Sequence, residues 1–252
     1  MARTRGGDAI NRRKGGGGAK GRAGRPRQVY VFTEGEVTEP EYIDIIMKNG
    51  VPAKAEETVQ HHIANPNAES KLRKPIRLVQ EAVRILRKVE QEAREAGLKP
   101  DKDWNWPQVW VLFDRDDHRS IPEARRLARK EGVKVAYSHP CFELWRLLHY
   151  QNYTSSFGGV CGNASDLLRR RPGFPQTYGA KVRTVSEAQA KHVLPAQVLT
   201  PPEQDAPTAR YATAKRYAER ISQRRSTDNP DEWDPYTDVW RFVEDGLLLS
   251  GY

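Results

Sequence analysis

Residues 107–118 read PQVWVLFDRDDH, and this stretch decides the fold. Its apolar part, 109–113, is rich in β-branched and aromatic residues, which predicts a short strand buried on both faces. The strand leads directly into the acidic segment DRDDH at 114–118. Open α/β sheets place their sites at the carboxyl ends of the strands. The stretch therefore predicts a parallel sheet with a site at its acidic end.

The acidic segment itself predicts a metal site. Asp114 and Asp116 carry like charges that repel each other, and burial raises the cost of keeping both ionised. A divalent cation would offset this cost, and Mg²⁺ prefers carboxylate oxygens, with Mn²⁺ as a second choice. His118, which ends the segment, is a further candidate site residue. The alternative is a solvated turn before a helix, where acidic residues are common.

A second acidic point follows an earlier strand. The run QVYVFT at 28–33 predicts a first buried strand, and Glu34 follows it immediately. Thr38 and Glu41 have the spacing of a helix capping box, so Glu39 and Glu41 are interpreted as helix-start acids. Glu34 precedes that helix and has no such explanation. We therefore predict that Glu34 belongs to the same site as the two aspartates.

The rest of the first half alternates between strands and helices. The predicted strands are 58–63 and 133–137, and the predicted helices are 75–96, 120–131 (with a second capping box at Ser120) and 141–150. This alternation predicts an α/β fold with a mostly parallel sheet and helices on both faces. Residues 28–150 would form this core, and 151–252 a mainly helical C-terminal extension with proline-rich loops. In such a sheet Glu34 and the two aspartates lie at the same edge.

The helix predicted at 141–150 is apolar around most of its circumference but carries Glu143 and Arg146. Charged residues in a mostly buried helix need a reason. One reason is an internal pair between the two side chains, three positions apart. The other is that Glu143 faces the acidic site. The sequence leaves both readings open.

Composition narrows the class of protein. The chain has 252 residues, of which 37% are hydrophobic and 30% charged, enough for a core beneath a very polar surface. Its two cysteines, Cys141 and Cys161, are too few for a disulfide framework or a zinc quartet and suit a reducing cytoplasm. No apolar stretch approaches the length of a membrane span, and the first residues lack the apolar region of a signal peptide. We therefore expect a soluble, cytoplasmic protein.

Residues 1–27 predict a disordered basic tail rich in glycine and arginine. Residues 1–28 hold nine Lys or Arg and one acid, Asp8, so they account for eight of the nine net positive charges. Such a tail binds phosphates without sequence preference, or only adds solubility. The candidate nucleic-acid-binding residues are Arg12, Arg13, Lys14, Lys20, Arg22, Arg25 and Arg27.

The extension has weaker patterns. A helical run is predicted from about 178 to 192, an extended proline-rich segment over 194–207, and amphipathic helices at 208–223 and 237–249. The helix at 208–223 mixes basic residues with Tyr211 and Tyr217, which suits either a nucleic-acid-binding face or a solvated helix.

Four blocks of the sequence resemble the RloB family. They are EGEVTEPEYI at 34–43, DRDDH at 114–118, SHPCFELWRLLHY at 138–150 and DPYTDVWRFVEDGL at 234–247. A Glu after the first strand and an Asp-x-Asp after a later one is also the TOPRIM pattern of topoisomerases, primases and OLD nucleases. By position, Glu34, Asp114 and Asp116 match the TOPRIM acids.

This resemblance implies a TOPRIM-like domain in a phage-defence or restriction locus, beside an ABC-type ATPase. His118, Glu143 and His149 match the second and third blocks. His139 stands where the family usually has Asn, so its role is open. The function implied is a Mg²⁺-dependent nuclease for DNA, RNA or tRNA, with Glu34, Asp114, Asp116, His118 and Glu143 as candidate catalytic residues.

In this hypothesis Asp114 and Asp116 hold one or two metal ions, and Glu34 completes the metal shell or acts as general base. His118 donates a proton to the leaving group or orients an aspartate. The alternative is a non-catalytic nucleic-acid-binding or regulatory subunit of the ATPase. A topoisomerase needs gate domains for which the chain has little length. Primases usually carry a zinc module, which two cysteines do not supply.

Overall fold

A computed structural model describes residues 24–116, 118–201, 209–223, 229 and 232–252. Its main sheet has five strands: β1 Arg27–Thr33, β3 Val59–Ile63, β4 Gln108–Asp114, β5 Lys134–His139 and β6 Tyr236–Thr237. Across the sheet the order is β3-β1-β4-β5-β6. The first four strands run parallel and β6 pairs antiparallel with β5. The prediction of a mostly parallel sheet is confirmed.

Helices follow most of these strands. In chain order they are α1 Thr38–Asn49, α2 Pro75–Glu95, α3 Ile121–Glu131, α4 Glu143–Leu148, α5 Cys161–Arg169, α6 Glu187–Ala190, α7 Pro195–Val198, α8 Ala209–Gln223 and α9 Val239–Arg241. A π-helical turn, Phe242–Gly246, continues α9. Short 3-10 turns lie at Ser70–Leu72 and Pro175–Tyr178. Strands β2 Val51–Pro52 and β7 Leu249–Gly251 form a separate antiparallel pair.

The sheet is covered by helices on both faces. On one face α2 and α3 pack against Phe32, Val111 and Phe113. On the other face α1, α4, α5 and α8 pack around Val31 and Leu112. Alternate side chains of β1 and β4 therefore enter opposite cores, which is why the sequence of β4 is apolar without interruption.

The C-terminal extension shares the core of the first half. Residues of α5, α8 and the π-helical turn belong to the same apolar cluster as Val31, Tyr42 and Trp145. The extension also supplies β6, which hydrogen-bonds to the edge of β5. The single amphipathic helix predicted at 237–249 is wrong: α9, a π-helical turn and β7 replace it.

Both predicted capping boxes are wrong. The side chain of Thr38 does not cap α1; its hydroxyl donates to the carbonyl of Lys191 at 2.9 Å. Glu41 accepts instead from the backbone N–H of Val193 at 2.7 Å. Ser120 precedes α3 but makes no side-chain capping bond. In α1, tertiary contacts with the extension have taken the place of local capping.

Other boundaries differ from the predictions. The helical run predicted over 178–192 is limited to α6, and the segment at 194–207 contains the short helix α7 before residues 202–208, which lie outside the described ranges. Tail residues 1–23 also lie outside them, so the predicted disorder there is not addressed by the structure. Within the described part of the chain, no helix has both the length and the apolar character needed to cross a membrane.

Candidate active site

The candidate site begins at the carboxyl ends of two neighbouring strands. Asp114 is the last residue of β4, and Glu34 follows β1, which pairs with β4. The backbone N–H of Glu34 donates to the carbonyl of Leu112 at 3.0 Å, which extends the ladder by one bond. In return, Glu34 Oε2 accepts from the backbone N–H of Asp114 at 2.9 Å. The structure thus places these two acids side by side, 80 residues apart in sequence.

These strand ends open into a cleft of about 860 Å³. All five candidate catalytic residues line it: Glu34, Asp114, Asp116, His118 and Glu143. The cleft also has residues from the extension, including Glu187 of α6 and Lys191. The sheet therefore supplies one side of the cleft and the extension another.

Asp114 is half-buried at the end of β4. Its Oδ2 accepts from the backbone N–H of Phe142 at 3.1 Å, which fixes the orientation of the carboxyl group. Burial raises its pKa well above the usual range, and the nearby charges of Glu34, Glu39 and Glu143 raise it further. A bound cation would reverse this effect, because it favours the ionised form.

Glu39 is a further acid of the cleft, which the sequence interpretation assigned to the helix start. Its side chain is only 3% exposed. Its Oε1 accepts from the backbone N–H of Gly35 at 3.0 Å. Burial, followed by the charges of Glu143 and Glu34, raises the pKa of Glu39 to about 7. It lies beneath the turn that carries Glu34 and is a buried part of the site.

His118 contacts Glu34 rather than an aspartate. The distance between His118 Nε2 and Glu34 Oε1 is 2.6 Å. This hydrogen bond is the main cause of a raised His118 pKa, against a smaller opposing effect of burial. The imidazole is therefore positioned by Glu34 and holds a proton more readily than a free histidine.

Asp116 lies at the exposed rim of the cleft. Its backbone has a φ of 32°, in a region that Asp tolerates better than most residues. Its N–H donates to the carbonyl of Pro140 at 3.2 Å, which ties the rim to the segment after β5. The carboxylate of Asp116 thus lines the same cleft as Asp114 from a less buried position.

Glu143, the first residue of α4, lines the cleft, which agrees with the second of the two readings of its charge. Its Oε1 lies 3.9 Å from Nη1 of Arg146, so the predicted pair is present but loose. The guanidinium of Arg146 is buried and bonds the carbonyl of Ala190 at 2.6 Å and Gln197 Oε1 at 2.8 Å. Arg146 therefore mainly holds the extension against α4.

The two cysteines are joined in one disulfide, which the sequence interpretation did not predict. Cys141 and Cys161 form a disulfide with their Cα atoms 5.4 Å apart, and both line the cleft. Cys161 Sγ also lies 3.6 Å from Glu143 Oε2. A count of two excludes a framework of several bridges, but it does not exclude one pair.

A family model described as RloB-like protein matches residues 29–245. The chain belongs to the RloB-like family. No curated protein and no solved structure matches it. The match includes the cleft residues from both halves of this RloB-like chain, from Glu34 to Lys191.

His149, which matches the third RloB block, does not line the cleft. His149 is buried in the core, where Nδ1 contacts the carbonyl of Trp145 at 2.9 Å and Nε2 the hydroxyl of Tyr252 at 2.8 Å. Burial lowers its pKa to about 3, so it is neutral at ordinary pH. The same Tyr252 hydroxyl bonds that of Tyr42. In this structure His149 connects core elements and does not face the acids.

Basic residues at the cleft were missed by the sequence interpretation. Arg73 is 5% exposed and donates all five of its guanidinium N–H groups to backbone carbonyls. The acceptors are Thr33, Gly35, Asn65, Pro66 and Ala68. Arg73 therefore fixes the turn that carries Glu34. Lys74 and Lys191 are exposed and also line the cleft.

The candidate nucleic-acid-binding residues fall into two groups. Arg12, Arg13, Lys14, Lys20 and Arg22 lie outside the described residues. Arg25 is described and exposed. Arg27 belongs to β1 rather than to the tail, and its guanidinium donates to the carbonyls of Trp104 and Asp245, so its assignment to a free basic tail is wrong.

The second basic candidate, α8, is partly internal. Tyr211 is buried, and its hydroxyl donates to Glu244 at 3.0 Å. Lys215 pairs with the same carboxylate at 2.7 Å. This face of α8 packs against the end of the chain, which leaves the remaining basic residues as the ones that could contact a partner.

Proposed function

We propose that the chain is a Mg²⁺-dependent nuclease of the TOPRIM type, which hydrolyses phosphodiester bonds in DNA or RNA. One observation carries the proposal: at neighbouring strand ends the carboxylate of Glu34 accepts the backbone N–H of Asp114, and Asp116 lines the same cleft. Carboxylates from separate elements that line one cleft, with a raised pKa at Asp114, are typical of catalytic sites. The membership of the RloB-like family supports the same reading.

The residue types suit a hard divalent cation, and the three carboxylates would move closer together to share it: among the described residues, the group whose ligand atoms already lie within 4.8 Å of one another is Cys141, Glu143 and Cys161. Glu34, Asp114 and Asp116 would hold it, since carboxylate oxygens are the ligands that Mg²⁺ and Mn²⁺ prefer. Asp114 uses Oδ2 for the bond to Phe142, which leaves Oδ1 without a partner among the described residues. When bound, the ion would activate a water molecule and stabilise the leaving oxygen.

Other residues of the chain would contribute to the proposed reaction in three further ways. The backbone N–H of Phe142 keeps Asp114 in one orientation. Glu34 raises the pKa of His118, so the imidazole is able to hold a proton near neutral pH for the leaving group. Lys74 and Lys191 line the cleft with positive charge that would attract the phosphate backbone.

The cellular setting is part of the proposal. By resemblance to RloB-type proteins, the nuclease would act in phage defence as the effector of an ABC-type ATPase, in the cytoplasm. The basic tail would hold nucleic acid electrostatically, with an affinity that falls as salt rises.

The test compares the purified chain with the variants Asp114→Asn and Asp44→Asn. Each is incubated with labelled tRNA, single-stranded RNA and plasmid in Mg²⁺, Mn²⁺ or EDTA, and Mg²⁺ binding is measured by calorimetry. Asp114→Asn should lose both metal binding and cleavage. Asp44 lies on the outer surface of α1, where it contacts His61, so its variant is the matched control and should keep both.

Two results would contradict the proposal. Cleavage that persists in Asp114→Asn would remove Asp114 from the mechanism. Binding of nucleic acid without cleavage in any metal, also after addition of the neighbouring ATPase, would favour the non-catalytic subunit.

A further inference from the structure

A second group of ligand atoms lies in the cleft beside the acids already described. It consists of Cys141, Cys161 and Glu143, one ligand atom each, all within 4.8 Å of one another. Cys141 follows β5, Glu143 begins α4, and Cys161 begins α5. Three different segments therefore bring their side chains to one place on the cleft wall.

The spacing of these atoms suits a small thiophilic cation. Zinc binds thiolate sulfur at about 2.3 Å and carboxylate oxygen at about 2.0–2.2 Å, so the ligands of a tetrahedral site lie roughly 3.5 Å apart. Cys161 Sγ and Glu143 Oε2 are 3.6 Å apart. The two cysteine Cα atoms, 5.4 Å apart, already bring the sulfurs together. Only the two sulfur atoms must separate, by rotation of their side chains.

We propose that, once the disulfide is reduced, Cys141, Cys161 and Glu143 bind a Zn²⁺ ion in a second metal site, distinct from the carboxylate site. Three protein ligands leave a fourth position for water or for a substrate oxygen, as in open zinc sites. The two sites differ in chemistry, because sulfur selects zinc while an all-oxygen set selects Mg²⁺ or Mn²⁺. The proposal does not depend on the nuclease activity.

The oxidised and reduced forms differ by a balanced two-electron step. A phosphine reductant supplies two electrons and becomes a phosphine oxide with an oxygen atom from water, whose two protons convert the sulfurs to two thiols. Zn²⁺ then displaces both thiol protons to the solvent and binds the two thiolates. The disulfide and the zinc site are therefore alternative states of the same pair of sulfurs.

The surroundings favour a cation at this place. Glu143 is one of the negative charges that raise the pKa of Asp114, and so it adds to the excess of acid in the cleft. Two thiolates beside Glu143 would increase that excess unless a cation is bound. Cys161 is the first residue of the nine-residue helix α5, and a helix N-terminus stabilises a thiolate.

The test uses the full chain, reduced with a phosphine and dialysed with Zn²⁺ or Co²⁺ under nitrogen. We expect one tightly retained zinc per chain, a thiolate-to-cobalt charge-transfer band, and protection of both thiols from alkylation by Zn²⁺ but not by Mg²⁺. Cys141→Ser and Cys161→Ser should each lose the band. Glu143→Gln removes a ligand and should lower the zinc affinity by roughly 10-fold or more. Loss of a residue that only supports a ligand already lowers metal affinity by about that factor.

Two further variants separate this site from the carboxylate site. Asp114→Asn should retain the cobalt band even if it abolishes Mg²⁺ binding, so the two proposals fail independently. Glu187→Gln, in the same cleft but outside the cluster, is the control and should bind zinc normally. Absence of the band in reduced, folded wild-type chain, or a band that survives Cys161→Ser, would overturn the proposal. Circular dichroism establishes that each variant is folded.

Discussion

At the scale of single residues, Glu39 shows how burial changes the chemistry of a carboxyl group. It lies beneath the turn at Gly35 and accepts the backbone N–H of that residue at 3.0 Å. Its position between Glu34 and Glu143 keeps it surrounded by negative charge. The protonation of Glu39 therefore depends on the charges of the neighbouring carboxylates Glu34 and Glu143.

Glu39 should make the stability of the chain depend on pH. Burial raises its pKa to about 7 from 4.5, so the folded chain holds a proton in this window that the unfolded chain has released. The contribution of Glu39 to the free energy of unfolding should therefore fall as pH rises from about 4.5 to about 7 and stay low above it, by up to about 3 kcal/mol. Urea unfolding in EDTA, at about pH 5 and about pH 8, measures this difference.

The comparison for this prediction is Glu39→Gln, which has no proton to lose. Its unfolding free energy should change less between the two pH values than that of the wild type. An equal change in both chains would mean that Glu39 is ionised throughout and that other groups, such as Asp114, are responsible.

Gly35 should not tolerate a side chain. An added Cβ would lie 2.0 Å from Glu39 Oε2, so the buried carboxyl would have to move and lose its bond to the Gly35 N–H. We expect Gly35→Ala to lower the free energy of unfolding by about 1–3 kcal/mol and to weaken Mg²⁺ binding. Chemical unfolding and calorimetry measure the two effects.

Gly162 provides a matched control for this substitution. It also lines the cleft, but an added Cβ would meet nothing closer than Val160 Cγ1 at 3.9 Å, inside helix α5. Gly162→Ala should be neutral or slightly stabilising. If both alanine variants behaved alike, the contact between Glu39 and the Gly35 turn would not be the cause.

At the scale of secondary-structure elements, the turn after β1 is held by a side chain from the next connection. Arg73 precedes α2 and donates to two carbonyls of the turn, Thr33 and Gly35, and to three carbonyls of the segment after β3. Its planar guanidinium is able to reach several acceptors at once, whereas a lysine has one ammonium group. The geometry of Glu34 therefore depends on a residue that never touches it.

Replacing Arg73 with Lys should destabilise the fold and the metal site together. Most of the five bonds would be lost and several buried carbonyls left without donors, at a cost of about 2–4 kcal/mol. Thermal unfolding and Mg²⁺ titration measure the outcome. Arg77→Lys is the control, since Arg77 is exposed and its side chain bonds only Gln80, and it should change stability by less than about 0.5 kcal/mol. Similar losses in the two variants would refute this role of Arg73.

The elements also show what a sequence is able to predict. The strands β1 and β4, and the long helix α2, have strong local patterns, and they were predicted within a few residues. The neighbouring positions of Glu34 and Asp114 followed from the parallel topology. The roles of Thr38 and Glu41 were wrong because their partners, Lys191 and Val193, lie some 150 residues away.

The same reason accounts for the features of the site that were missed. Glu39 is buried because the turn at Gly35 covers it. Arg73 is buried where five carbonyls from two segments accept its hydrogen bonds. The pairing of Cys141 with Cys161 depends on where α5 packs against α4. The two-residue strand β6 is too short to have a pattern of its own. None of these is visible in a local window of residues.

At the scale of the whole molecule, the predicted core and extension share one apolar cluster. Residues from α5, α8 and the π-helical turn complete the apolar cluster on one face of the sheet. We therefore expect a chain of residues 24–150 to lack cooperative unfolding, because that face would be exposed to water. The chain 24–252 is the control and should unfold in one transition. Calorimetry distinguishes the two, and a cooperative transition in the shorter chain would contradict this view.

The contact between α1 and the segment around Lys191 has a consequence for how such proteins diversify. The hydroxyl of Thr38 and the carboxylate of Glu41 hold that segment over the strand ends that carry the acids. Insertions or deletions in the loop before α6 would change the side of the cleft that the extension supplies. The strands that carry the acids would keep their register. Under the proposed function, relatives could in this way change the part of the cleft that meets the target while keeping the acids at the strand ends.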